Sequence, residues 1–192
     1  MSTDAPRFTD RSAQSRAAIL AAARARFAAD GYEKTTIRAV AADAGIDASM
    51  VMRYYGNKAR LFQASAAVDL ELPAPAAVSP QELAAGLARA FVEHWEKGEN
   101  EVERLVVRTA VTHPEAVAQV QRIFETQLRP PFLAALPDDP DAELRAALVM
   151  TQTIGMIVCR YLLALEPIAS ADPQVLERAL RDVVELHATR EL

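Results

Sequence analysis

Cysteine is almost missing from this chain. Cys159 stands alone among 192 residues, which excludes an internal disulfide and a zinc site built on cysteines. The three histidines, His94, His113 and His187, are scattered and lack metal-ligand spacing. No glycine-rich phosphate loop and no nucleophile elbow occur, so no enzyme is expected, and no cofactor or metal. Alternating β-branched runs bounded by turns are absent, which speaks against strands. No repeat of solenoid period is visible. Residues 1–16 place no apolar run behind a basic start, so no secretory signal is expected.

What is present is apolar and helical. Hydrophobic residues make up 51% of the chain, too many for a disordered polymer. The longest apolar stretch, Ala146 to Leu165, holds Gln152 and Arg160 and is bracketed by Arg145 and Glu166. A buried helix fits it better than a bilayer span, where Arg160 would be costly. A cytoplasmic protein with no membrane partner is expected. No proline interrupts residues 7–72 or 141–166. Elsewhere prolines open helices: Ser79-Pro80-Gln81-Glu82 is an N-cap, an N1 proline and a capping-box glutamate in one string. The pattern predicts an all-α chain of about nine helices. The first runs from about Asp10 to Asp30, with short helices at about 36–44 and 47–54. A fourth covers about 57–71, and Pro73 and Pro75 break the chain after it. Longer helices follow at about 80–97, 101–112, 114–129, 140–165 and 173–188.

The segment from Thr35 to Val51 carries the clearest signal. Ile37, Val40 and Ala41 make a short apolar face, Gly45 permits a sharp turn, and Asp47 is placed to cap the next helix. Two short helices around a glycine turn form a helix-turn-helix, whose second helix enters the DNA major groove. Ala48, Ser49, Met50 and Arg53 lie at the start of that helix or just beyond. Arg53 reaches a phosphate, a guanine edge or only solvent. Lys58 follows Asn57 at a helix start that favours a phosphate, and is otherwise a solvated lysine. Thr36 is an N-cap, a role compatible with touching a phosphate. Of Tyr54 and Tyr55, one belongs to the core with its hydroxyl at the rim.

Residues Arg16 to Phe62 resemble the TetR family of bacterial transcriptional regulators. The resemblance rests on Ala18-Ile19-Leu20-Ala21-Ala22-Ala23, Phe27, Asp30-Gly31-Tyr32 and Thr35-Thr36-Ile37. Its second half is Val40-Ala41, Ala44-Gly45-Ile46, Tyr54-Tyr55-Gly56-Asn57-Lys58 and Leu61. The chain departs from the family at Met52 and Tyr55, where Tyr and Phe are commoner, and at Ser49, where Gly is. The resemblance implies phosphate contacts from Thr36, Tyr54 and Lys58. It also implies base readout from the helix that begins at Asp47. Arg38 joins these candidate DNA contacts. The expected layout is a head at residues 1–62, a linking helix at about 57–71, and a helical body at residues 72–192.

Overall charge first argues against DNA, since the chain is at -5. Region by region the sign changes. Residues 1–62 hold ten Lys and Arg against six Asp and Glu, and residues 63–192 hold 11 against 20. The head is therefore basic and the body acidic.

The body is expected to dimerise and to sense. One side of the helix at 144–165 carries Leu148, Gln152, Gly155, Cys159 and Leu162, and the last helix carries Leu176, Leu180, Val183 and Val184. These are the candidate interface of a homodimer on a palindromic operator. Candidate wall residues for a small apolar effector are Phe91, His94, Trp95, Val106, Arg108, His113, Phe124, Gln127, Leu128, Met150, Ile154 and Tyr161. The function expected is a ligand-responsive repressor associated with the nucleoid. The second reading, motivated by Met52, is a helical small-molecule-binding or protein-interaction module without operator binding.

Overall fold

The computed structural model describes residues 8–72, 74, 76–98 and 100–190, with the side chains of residues 8–11 left aside. Pro73 and Pro75, expected to break the chain, lie outside the described residues. The chain divides into two compact units, residues 1–67 and 68–192. Ten α-helices and two π-helical segments make up the described residues, and no strand occurs among them.

The head holds α1 (Phe8–Lys34), α2 (Ile37–Ala44), α3 (Ala48–Tyr55) and α4 (Lys58–Ser65). Ile19, Ala23 and Phe27 recur at helical spacing on α1 and are buried. Gly31 sits within α1 at φ 77, where a side chain would be strained, and the chain turns there. Each following helix begins with a side-chain cap. Thr36 accepts from the Ala39 amide, Asp47 from Ser49 and Asn57 from Arg60. Gly45, at φ 64, closes α2 and sends Ile46 back toward Ala41 through a 2.9 Å backbone hydrogen bond. Phe27, Tyr32 and Phe62 pack as a ring cluster, with Phe62 edge-on to both others at 5.1 and 5.2 Å. Val40, Val51 and Leu61 complete this core. Arg26 ties α1 to α2 by bonding Asp43, and Arg24 donates to the Ser65 carbonyl at the end of α4.

The body holds α5 (Pro80–Glu96), α6 (Glu101–Ala110), α7 (Pro114–Ile123), α8 (Arg129–Ala135), α9 (Ala142–Met156) and α10 (Pro173–Thr189). The segment π1 (Phe124–Leu128) joins α7 to α8, and π2 (Ile157–Leu162) extends α9. The expected capping box forms: Ser79 Oγ accepts the Glu82 amide while the Glu82 carboxylate accepts the Ser79 amide. Leu83, Leu87, Phe91 and Trp95 then form one stripe of α5, and Leu176, Leu180, Val184 and Ala188 one stripe of α10. Both stripes belong to the main core, together with Phe132, Ala146 and Val149.

Two expectations need correction. The fourth helix stops at Ser65 rather than near Glu71. Gln127 explains this: its Nε2 donates to the Val68 carbonyl at 2.6 Å and its Oε1 accepts the Leu70 amide at 2.8 Å. The backbone bonds of residues 68–70 thus go to a side chain and not to a helix. Helix also continues past Arg129, through Pro130 and Pro131, as α8. Those prolines have no N–H to donate, and the ladder widens just before them: the Arg129 amide reaches back five residues to Phe124.

The stretch Ala142–Leu162 is long and apolar enough to cross a membrane by length and composition. One side of it packs into the core of the body. Ala146, Val149 and Ile157 are buried, and both arginines find partners. Arg145, 7% exposed, bonds Asp139 at 2.7 Å and donates to the His187 and Arg190 carbonyls at the end of α10. Arg160 bonds Glu96 and the carbonyls of Ile168, Ala169 and Ala171.

Candidate nucleic-acid interface and internal cavity

In the head, α2 and α3 form the expected helix-turn-helix. Val40, Ala41 and Val51 anchor it, which leaves the other face of α3 open. That face carries Ser49, Met52 and Arg53, spaced three and four residues apart and all exposed. Ala48 and Met50 are half-buried at its margins. Asp47 is exposed but engaged: its carboxyl caps α3, and the hydrogen bonds from Ser49 hold it below the usual aspartate range. Thr36 is exposed at the start of α2, and Arg38 is exposed two residues later.

The two tyrosines share their surroundings unequally. The Tyr54 hydroxyl lies 3.4 Å from Ser12 Oγ, and its ring sits between the Arg16 and Arg53 guanidiniums at 5.8 and 5.5 Å. The Ser12 hydrogen bond, then Arg53, lowers its pKa. Tyr55 donates to the Arg16 carbonyl, and burial pushes its hydroxyl up. Lys58 is turned inward. It donates to the Glu33 carbonyl at 3.0 Å and lies 4.4 Å from the Tyr32 ring centre. It secures the turn after α1, whereas Arg38 and Arg53 extend to solvent. Met52 was missing from the sequence-derived contact set, although its spacing from Ser49 marks it as part of the same face.

The body encloses a cavity of about 80 Å³. Phe91, Trp95, Val106, Leu128, Met150 and Ile154 line it, as the sequence suggested. So do Val68, Leu70 and Leu72 from the segment that Gln127 holds. Among the described residues, Glu103 is the only charged one on the wall. Sequence reasoning passed over it, although Glu103, Val106 and Val107 share one face of α6 by spacing. His94 stands behind it, with Nε2 3.5 Å from the carboxylate and no hydrogen bond of its own.

Several candidates fall outside the cavity. Arg108 is exposed on the outer side of α6, because α6 turns Glu103, Val106 and Val107 inward. Phe124 lines an open groove between α7 and α9 that shares Val120, Met150 and Ile154 with the cavity. His113 stands at the N-cap position of α7 and does not line the cavity. Gln127 clamps backbone. Tyr161 stacks on Trp95 at 4.9 Å from behind, and its hydroxyl donates to Glu96. Burial first, and that hydrogen bond second, push the Tyr161 hydroxyl up to about 12.

The interface candidates divide by helix. On α9 and π2 they share one open stripe: Gln152 and Gly155 are exposed, and Leu148, Cys159 and Leu162 are half-buried. A Cβ built on Gly155 meets nothing within 4 Å. On α10 the reading is corrected. Leu176, Leu180 and Val184 are 5%, 2% and 0% exposed in the core with α5, so they are unavailable to another copy. The uncovered apolar residues of α10 are Val175 and Leu186, with Val183 half-buried. Among the described residues, no three His, Cys, Asp or Glu side chains converge as a metal site.

The chain matches known families over both units. Residues 19–65 match the bacterial regulatory proteins, tetR family, and residues 81–187 match the tetracyclin repressor-like, C-terminal domain family. No curated protein matches it by sequence. A TetR-family regulator from Streptomyces coelicolor A3 is 29% identical, covering 98% of this chain and 100% of that one, with a TM-score of 0.60. GusR from Salmonella enterica is 18% identical, with coverage of 88% and 93% and a TM-score of 0.67. A transcriptional regulator from Rhodococcus sp. Rha1 is 23% identical over the same shares, with a TM-score of 0.62.

Proposed function

We propose that this chain, which belongs to the TetR family of bacterial regulatory proteins, is a homodimeric repressor released from a palindromic operator by a small effector. The chain is a DNA-binding transcriptional regulator and not an enzyme, as its family is. The finer reading rests on one observation: a capped, rigidly anchored α3 presents Ser49, Met52 and Arg53 outward. Arg53 suits a guanine edge, and the Met52 side chain suits a thymine methyl group. Thr36, Arg38 and Tyr54 supply phosphate contacts around that helix. The basic sign of the head favours approach to DNA, and the acidic body is repelled by it.

One recognition helix reads too few base pairs for a specific operator, so two copies act together. The open α9 stripe around Gly155 and the apolar Val175 and Leu186 of α10 support self-association in this reading. The repressor works on nucleoid DNA in the cytoplasm. An effector in the cavity shifts the protein between DNA-competent and released states by its difference in affinity for them. Selection from a random duplex library with purified protein tests the reading. A palindromic consensus is the expected result. Enrichment of no sequence, with binding that follows only salt, would overturn it.

A further inference from the structure

We propose that Tyr54 is a positioning residue for sequence readout: its ring holds the Arg53 guanidinium ready to meet a base edge. This role rests on the base readout given to Arg53 above and is separate from the phosphate contact of the Tyr54 hydroxyl. Arg26, elsewhere in the head, is fixed by the carboxylates of Asp30 and Asp43. Among the described residues no carboxylate pairs with Arg53. Its guanidinium lies over the Tyr54 ring instead, with the central carbon 5.5 Å from the ring centre. Neighbouring residues on a helix do not face each other, so the arginine folds across the helix surface to reach that ring. The distance falls within the roughly 6 Å over which a cation and an aromatic face attract.

The ring is the fixed partner of the two. It is half-buried, and its hydroxyl lies 3.4 Å from Ser12 Oγ on α1. The Arg16 guanidinium, also from α1, lies 5.8 Å from the ring centre, and the Tyr55 ring meets it edge-on at 6.4 Å. Those neighbours are themselves tied down. Arg16 Nε donates to the Ser12 carbonyl at 3.3 Å, and Tyr55 donates to the Arg16 carbonyl. Tyr54 is thereby braced from α1 as well as from α3, whereas Arg53 is exposed at the end of a long stem.

The chemistry of the two contacts differs. A guanidinium stacked on a ring keeps its planar edge of N–H groups open, which is the geometry that a bidentate guanine contact needs. An arginine without such a platform has more rotamers to lose on docking and reaches a phosphate as readily as a base. A phosphate carries no sequence. The ring therefore raises discrimination more than it raises affinity.

The test selects sites from a random duplex library with the full chain and with its Arg53→Ala, Tyr54→Phe and Tyr54→Leu variants. In the wild type, the position that Arg53 reads should favour one base by about tenfold or more. Arg53→Ala should flatten that position. Tyr54→Leu should reduce the same preference below about threefold and leave the other positions as in the wild type, whereas general damage to the head would flatten them all. Tyr54→Phe keeps the ring and should keep the preference, while affinity falls evenly across sequences. Loss of the preference in Tyr54→Phe, or its survival in Tyr54→Leu, overturns the role of the ring and leaves readout by Arg53 intact. Unchanged preferences in Arg53→Ala remove that readout itself. Nitrogen relaxation of the guanidinium Nε groups in the free wild-type protein decides the matter even if Tyr54→Leu fails to fold. Arg53 should be more ordered than the exposed Arg38, which has no ring over it among the described residues, and equal order overturns the platform.

Discussion

The head and the body solve different problems with the same helical material. In the head, the helices after α1 begin with capping side chains, and the core of Phe27, Val40, Val51, Leu61 and Phe62 is at most 1% exposed. In the body, a cavity interrupts the core, π turns widen two helices, and among the described residues buried polar atoms on His94, Arg104 and Gln119 lack hydrogen-bond partners. A surface that reads DNA needs α3 held at one angle, so close packing serves it. A site that answers to ligands needs empty volume and alternative arrangements, which close packing removes. The difference teaches that looseness in this molecule is confined to one unit.

The largest effect should come from the head core. Phe62→Ala removes the ring that packs edge-on against Phe27 and Tyr32, and should cost about 3–5 kcal/mol. Calorimetric unfolding of the purified variant measures it. A loss below about 1 kcal/mol would show that the head is less tightly packed than described.

A matched pair of smaller changes probes the contrast directly. Val40→Leu adds a methylene to a site with no room, and should cost about 1–3 kcal/mol. Val106→Leu adds the same group beside the cavity and should change stability by less than about 1 kcal/mol in either direction. Equal costs in denaturant melts would erase the distinction between the two cores.

Charge offers a third comparison, this time within the head. Arg38→Ala should lower the slope of log affinity against log salt by about one on operator DNA, whereas Arg53→Ala should cost about 1–3 kcal/mol and relax the sequence preference. Lys58→Met should lower the melting temperature and leave that slope nearly unchanged, because Lys58 already serves Glu33 and Tyr32. A slope change for Lys58→Met as large as that for Arg38→Ala would return Lys58 to the phosphate contacts.

The smallest effect is spectroscopic. Tyr54 in the head should ionise before Tyr55, and Tyr161 in the body should ionise late, near pH 12. Since folding raises the Tyr161 pKa above its ordinary 10.0, its contribution to stability is complete below pH 10 and is lost between pH 10 and 12. Absorbance titrations of Tyr54→Phe and Tyr161→Phe should remove the earlier and the later of these steps, respectively.

Much of the head was legible because its signals are local. Gly45 and Asp47 in the head, like the Ser79-Pro80-Gln81-Glu82 string in the body, state their roles within four residues, and the structure puts them to those uses. Periodicity is weaker evidence, since it says which residues share a face but not which neighbour takes that face. Leu176, Leu180 and Val184 illustrate this: the stripe is real, and α5 of the same chain covers it. The π turns were illegible for a related reason. A helix of one extra residue per turn has no composition of its own, and only Pro130 and Pro131 hinted at the need for one. Glu103 escaped notice because a glutamate on a helix is ordinarily solvated, and only the surrounding elements bring it indoors.

The clamp made by Gln127 has a further consequence. Its two hydrogen bonds grip Val68 and Leu70, and both residues also form part of the cavity wall. Two residues, Ala66 and Ala67, separate this wall from Ser65, the last residue of α4. Peptide units bend but do not lengthen, since consecutive Cα atoms stay about 3.8 Å apart. Val68 and Ser65 are therefore joined by three links of fixed length.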